Sequence, residues 1–293
     1  MLYTLKNDKL EISVSTLGGE LLSIINKKNG KEYLWQGNPE YWTGHAPNPF
    51  PIVGRVKEGK YNYKGVEYSI KSPHGFNRIS ELKCIENTAT TLVFNLKYSE
   101  ATLKAYPFKF DYKIRFELCE NNLKTEYIVK NLDEKIMLFN VGGHPGFNLP
   151  INEGEKFEDY YLEFERSCAP TEIICDNCFI TEKRKPLPLK NGKILPLRHN
   201  LFDNDAIILE DLGPRKLTIK TDKGDNKIVV DFKDFDYLGI WHKPLVEAPY
   251  VCIEPWNGLP SAIDDNEDLE MKTAILSLIP NDVYDVSYTI SIF

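Results

Sequence analysis

Apolar and polar residues alternate with period two through almost the whole chain. That is the pattern of half-buried strands, whose successive side chains point to opposite faces, and not of helices. It runs through LEISVS from Leu10, TTLVFNLKYS from Thr90, FDYKIRFELC from Phe110, LKTEYIVKN from Leu123, DYYLEFE from Asp159, DAIILED from Asp205, KLTIKT from Lys216, KIVVDF from Lys227 and VSYTISI from Val286. These stretches are rich in Val, Ile, Tyr, Phe and Thr, which pack well on a pleated surface. The best helical candidate is SEATLKAYPF from Ser99, cut by Pro107, which cannot donate a backbone hydrogen bond. Asn121 and Asn122 tolerate positive φ and suit a tight hairpin turn between the strands on either side.

Antiparallel strands in this number, each with one buried face, are best accommodated as two large sheets packed face to face. The expected fold is therefore all-β, a large antiparallel β-sandwich. A length of 293 residues allows two domains, yet sandwiches of this size occur as one unit, and a single domain over residues 1–293 is expected. Proline clusters from Pro47 to Pro51 and from Pro186 to Pro196 mark loops; each is short and mixed with aromatics or cations, unlike a flexible linker. A sandwich of this kind offers a sheet face as a groove, and an aromatic-lined groove with a few placed polar groups suits a sugar.

A net charge of −7 and a pI near 5.4, without a stripe of Lys and Arg, argue against nucleic acid, because binding that polyanion needs clustered cations. The chain begins MLYTLKNDKLEISVS, without the basic and apolar regions of a secretory signal, and no stretch is long and apolar enough to span a bilayer as a helix. A cytoplasmic protein without a membrane partner is expected. No pattern in the sequence specifies an oligomeric state. Cys84, Cys119, Cys168, Cys175, Cys178 and Cys252 are scattered through a chain too large to need disulfide staples, so free thiols are expected. Cys175 and Cys178 have a spacing that a redox pair or a tetrahedral metal uses, but a structural zinc needs a second ligand pair and none is nearby.

Four stretches mix titratable residues with Gly, Pro and aromatics, a composition that fits site-forming loops better than strand interiors. They are FPIVGR ending at Arg55, SPHGFNR from Ser72, NVGGHPGFNL from Asn140 and VCIEPWNG from Val251. His144, between Gly143 and Pro145, reads either as a general acid or as a histidine bonded in a turn. His74, beside Gly75 and Phe76, reads as a ligand for a sugar oxygen or as part of a turn. Glu254 follows Val251-Cys252-Ile253, which reads as a half-buried strand ending at Pro255-Trp256. A carboxylate there is either functional or paired with a core arginine, since burying it unpaired is costly. Trp256 offers a flat surface for a sugar's C–H face or is a plain core residue. The fork of donors on Arg55 suits two neighbouring oxygens, or a surface ion pair.

Taken together and in order, these motifs resemble the aldose 1-epimerase (galactose mutarotase-like) superfamily. The forms HGFNR, NVGGHPGF and CIEPW look most like its LacX-like branch, with support from YPFKFDYKIRFEL at Tyr106 and LFDNDAIIL at Leu201. The resemblance covers nearly the whole chain. It implies a large antiparallel β-sandwich and an isomerase acting on an aldose, with Glu254 as base, His144 as acid, and His74 and Arg55 binding sugar oxygens. It also implies a sugar-binding aspartate, which falls on Asp205, with Asp203 the nearest competitor.

The implied reaction suits these residue types. Opening a pyranose ring takes a proton from the C1 hydroxyl and delivers one to the ring oxygen, so an acid and a base must flank one carbon. It requires neither a redox cofactor nor a metal. With unperturbed pKa values of about 4.3 and about 6.5, Glu254 is expected ionised near neutrality, whereas His144 needs an upward shift that a neighbouring carboxylate can supply. The competing expectations are a sugar-binding protein without turnover and an epimerase for phosphorylated hexoses, for which Arg78, Lys57 and Lys60 are the available cations. Glycoside hydrolysis usually needs two flanking carboxylates, and the motifs supply one.

Overall fold

The computed structural model describes residues 1–293. Alternation in the sequence becomes alternation in burial: every second residue is buried in Leu10–Ser15 and in Lys216–Thr221. Two antiparallel sheets dominate. The larger has nine strands, in the order Ile194–Pro196, Tyr160–Phe164, Lys216–Thr221, Ile228–Asp231, Val283–Ile292, Asn122–Asn131, Phe110–Cys119, Thr91–Lys97 and Lys83–Asn87. The other has seven. Its order is Val141–Gly142, Tyr250–Asn257, Tyr237–Trp241, Ile207–Glu210, Thr171–Asp176 and Phe179–Pro186, and Gly146–Asn148 also pairs with Tyr250–Asn257. The first four strands, Leu2–Lys6, Leu10–Ser15, Leu21–Asn26 and Lys31–Glu32, make a separate small sheet.

A core cluster of 61 buried residues joins the two large sheets, with Ile114, Tyr127 and Ile290 from one meeting Leu209, Leu238, Val251 and Ile253 from the other. At about 1.5–3 kcal/mol per buried large apolar side chain, this contact dominates the stabilisation of the sandwich. The outer face of the seven-stranded sheet is covered too: Ile208 and Trp256 belong to one small cluster and Tyr250 and Cys252 to another. Val251 and Ile253 thus face the main core while Tyr250, Cys252 and Trp256 face outward, and Tyr250–Asn257 is buried at every position. A sheet covered on both sides leaves its outer face dry enough to hold a site.

The helical candidate is borne out, and two local expectations are corrected. The helical stretch forms a short helix, Glu100–Ala105, with Ser99 and Thr102 in a reciprocal capping box, and it stops before Pro107. The hairpin turn lies one residue earlier than expected. Cys119 pairs with Asn122, so Glu120 (φ 53) and Asn121 turn the chain, and Leu118 faces Leu123 instead of leaving Glu120 opposite it. The strand before Pro255 does not end there, because it continues to Asn257. No helix is long and apolar enough to cross a membrane.

Candidate active site

Residues 144 and 254 are 110 positions apart in sequence and neighbours in the sheet. Val141 pairs with Asn257 and Gly142 with Trp256; Gly146 pairs with Cys252 and Phe147 with Val251. The two runs share one register, which sets residue 144 opposite residue 254. Gly143 N–H donates to the Pro255 carbonyl at 3.0 Å and Ile253 N–H to the Pro145 carbonyl at 3.1 Å. These bonds flank the pair and make it a non-hydrogen-bonded one, the kind whose side chains come closest. Each flanking pair lacks its second bond because a proline occupies the donor position, at 145 on one strand and at 255 on the other. The strand therefore passes through Pro255 at the cost of a single ladder bond.

The result is a His144 Nε2 to Glu254 Oε2 contact of 3.1 Å between side chains only 8% and 1% exposed. The partner of Glu254 is an imidazole, and the alternative of a core arginine does not occur. Burial pushes Glu254 well above the usual carboxylate range, helped by the negative charge of Asp205. Burial also pushes His144 well below the usual imidazole range, with His74 adding to the effect. The expected picture of an ionised Glu254 beside a raised His144 is therefore corrected. The dry surroundings oppose net charge, so the pair behaves as a unit holding one proton between Nε2 and Oε2.

Around the pair lies a cavity of about 270 Å³, near the lower end of the roughly 300–1,000 Å³ usual for small-molecule sites. Arg55, His74, Asp205 and Trp256 all line it along with His144 and Glu254, so the six residues singled out in the sequence meet in one place. Asp203 is exposed and does not line the cavity, whereas Asp205 does. Of eight buried side-chain atoms without a protein partner, three belong to this cavity: His144 Nδ1, Glu254 Oε1 and Trp256 Nε1. Buried polar atoms are normally satisfied, and their clustering here marks a surface complementary to a polar ligand.

His74 has a positive φ of 61, held by Phe50 N–H donating to its carbonyl and its own N–H donating to the Gly54 carbonyl. The Gly54 N–H donates to its Nδ1 at 3.2 Å, so the ring proton of the neutral form sits on Nε2 and is available to a ligand. Burial, together with the positive charges of Arg78 and Arg55, pushes His74 down to about 3, which keeps it neutral. Gly75 is required because a Cβ there would lie 2.1 Å from the Phe50 carbonyl oxygen. Asn77 is structural: its amide donates to the carbonyls of Gly18 at 2.9 Å and Asn48 at 3.0 Å. Arg55 is exposed and forms no ion pair, against the surface-pair alternative. Asp205 has a φ of 80 and accepts from Trp241 Nε1 at 2.9 Å.

Sequence reasoning missed several lining groups. Trp42 stacks on the His144 ring at 4.9 Å and Trp241 meets it edge-on at 5.6 Å. Neither has a local signal, because both contacts are made by distant chain segments. Gly239 pairs with Glu254 on the side away from His144, and a Cβ there would lie 3.1 Å from Glu254 Cβ and 3.0 Å from the Trp256 ring. A glycine inside the strand pattern of DYLGIW is a usable signal for such a close approach. Cys175 and Cys178 also line the cavity. Lys57 and Lys60 do not, and Lys60 pairs with Glu67 at 3.0 Å, leaving Arg55 and Arg78 as the cations of the site.

The donor atoms of His144, Cys252 and Glu254 lie within 4.8 Å of one another, a set a divalent cation can use. Against that use, His144 Nδ1 has no acceptor, whereas a metal-bound imidazole is almost always oriented by one. The arrangement fits proton transfer better.

The model of the aldose 1-epimerase family matches residues 1–275. The plasmid-encoded protein LacX of Lactococcus lactis subsp. lactis is 36% identical over 299 residues, covering 100% of this chain and 99% of that protein. A galactose mutarotase related enzyme from Lactobacillus acidophilus superposes with a TM-score of 0.96 at 35% identity, covering 100% of this chain and 97% of the other. A galactose mutarotase-like protein from Lactobacillus casei gives 0.94 at 29% identity, with both chains covered completely.

Proposed function

The chain belongs to the aldose 1-epimerase family, and from that premise we propose that it interconverts the α and β anomers of a monosaccharide aldose in the cavity around His144 and Glu254. The observation that carries this reading is the 3.1 Å contact between the two groups on the cavity wall. Ring opening removes the C1 hydroxyl proton to one member of the pair while the other delivers a proton to the ring oxygen. Once the shared proton has moved from Oε2 to Nε2 across that contact, Glu254 is the base and His144 the acid. One proton is taken and one given, so the pair still holds a single proton when the aldehyde forms. Rotation about C1–C2 presents the other face, the roles reverse, and closure yields the opposite anomer with the starting protonation restored. A buried pair that resists net charge is suited to this sequence, because no step requires a proton from solvent.

Under this reading His74 Nε2–H, the Arg55 guanidinium and the Asp205 carboxylate bind sugar oxygens, and Trp256 supplies an apolar face. One observation supports a narrower reading as well: neither Arg55 nor Arg78 has a carboxylate partner, yet both line the cavity. An aldose carrying a phosphate is the substrate such paired guanidinium groups would favour.

The test is an NMR exchange measurement of α and β anomers over a panel of free and 6-phosphorylated aldoses. Glu254→Gln and His144→Asn are each expected to lower the enzymatic rate about 10²- to 10⁴-fold. Equal rates in wild type and both variants would remove the mechanism. Binding of an aldose without faster exchange would identify a sugar-binding protein instead.

A further inference from the structure

Two residues at one end of the cavity adopt backbone conformations that L-amino acids rarely take: Cys178 with φ 70 and Asp205 with φ 80. The strain at 178 has a clear origin. Thr171–Asp176 and Phe179–Pro186 form a hairpin in which Asp176 pairs with Phe179. Asn177 and Cys178 are left as a two-residue turn, with φ of 49 and 70. Such turns favour Asn followed by Gly, because glycine reaches positive φ without a steric penalty. Asn177 follows that rule and Cys178 breaks it. A non-glycine residue held in such a conformation at a ligand cavity is a reason to look for a role.

Cys178 lines the cavity with Asp205, and its thiol lies near enough to the Asp205 carboxylate to feel its charge. Trp241 Nε1–H donates to Oδ1 of the same carboxylate at 2.9 Å. We propose that Cys178 is a positioning residue for the substrate: its S–H and the Trp241 N–H hold the Asp205 carboxylate from two sides, in the orientation that meets a sugar hydroxyl. The proposal rests on the reading that Asp205 binds the sugar. A carboxylate fixed from two directions loses little freedom when the ligand arrives, which is where preorganisation gains affinity.

The neighbouring thiol suggests redox or metal chemistry, but the surroundings argue for a donor. Burial, then the Asp205 carboxylate, pushes Cys178 up to about 11. Burial, with Asp205 second, pushes Cys175 up to about 12. Disulfide exchange and metal capture both need the thiolate, whereas a protonated thiol can donate to a carboxylate that carries no hydrogen of its own.

Anomer-exchange kinetics on Cys178→Gly, Cys178→Ala, Cys178→Ser and Asp205→Asn test this, using an aldose that the wild-type protein turns over. Cys178→Gly should unfold at no lower temperature than wild type, since glycine suits the turn, while its KM rises about tenfold and kcat stays within about twofold. Cys178→Ala should show the same KM change, and Cys178→Ser, with an O–H donor in place, should return KM to near the wild-type value. If KM is unchanged in the Gly and Ala variants but raised in Asp205→Asn, the role of Cys178 is overturned and the site reading stands. A serine variant as impaired as alanine also overturns it, since donation would then not be what matters. An unaltered KM in Asp205→Asn overturns both the inference and the role of Asp205, and a wild-type protein that turns over no aldose of the panel removes the functional premise.

Discussion

At the scale of single residues, His144 and Glu254 titrate as one unit. Two isolated groups with values of about 4.3 and about 6.5 share a single proton only between those limits. Burial acts on both limbs. Gain of a second proton is opposed by the lowering of His144, which moves the acid limb of kcat/KM to lower pH. Loss of the only proton is opposed by the raising of Glu254, which moves the alkaline limb to higher pH. A profile measured on a substrate without ionisable groups should therefore show a plateau between two limbs, and a profile with a single limb through the neutral range would contradict the one-proton pair. The chemistry-bearing residues are legible in the sequence because Gly-His-Pro and Glu-Pro-Trp are poor strand interiors by composition. Their protonation is not legible, since it follows from dryness that only packing creates. Trp42 is illegible for the same reason: it reaches His144 from a loop 102 positions away.

At the scale of elements, the strand Tyr250–Asn257 carries the site, with His144 on one neighbouring segment and Gly239 on the other. The missing side chain at 239 keeps space beside Glu254 and the Trp256 ring. Gly239→Val should leave the far-UV circular dichroism spectrum intact, because valine suits a strand. It should lower kcat/KM about 10²-fold by displacing Glu254 or filling the cavity, in keeping with the sensitivity of catalysis to shifts of about 1 Å. Wild-type kinetics in that variant would show that the space beside Glu254 is not used. Most of the strands are readable from alternation, and Lys216–Thr221 has the bounds the pattern implies. Tyr250–Asn257 is read short because burial on both faces erases alternation, and because proline is normally a strand breaker unless a partner strand tolerates the lost bond.

At the scale of the whole molecule, all four tryptophans gather on the outer face of the seven-stranded sheet. Trp42, Trp241 and Trp256 line the cavity, and Trp35 packs beside them against Tyr250, with its Nε1–H donating to the Trp42 carbonyl at 2.8 Å. Tryptophan fluorescence, excited selectively over tyrosine, therefore reports on this face, whereas far-UV circular dichroism reports on every strand. The same strands that carry the site on one face lock Val251, Ile253, Leu238 and Ile240 into the main core on the other, so the two signals should change together in urea. A fluorescence transition that precedes the dichroism change would show that the site loosens before the sandwich. The sequence by itself determined the period of the backbone, the all-β class and the residue types able to move a proton or hold a sugar, because these depend on local composition and spacing. Only the tertiary structure decided which of them meet. A shared register across two strands far apart in the chain set His144 against Glu254, and their enclosure between two covered faces removed the water that would have let each titrate alone.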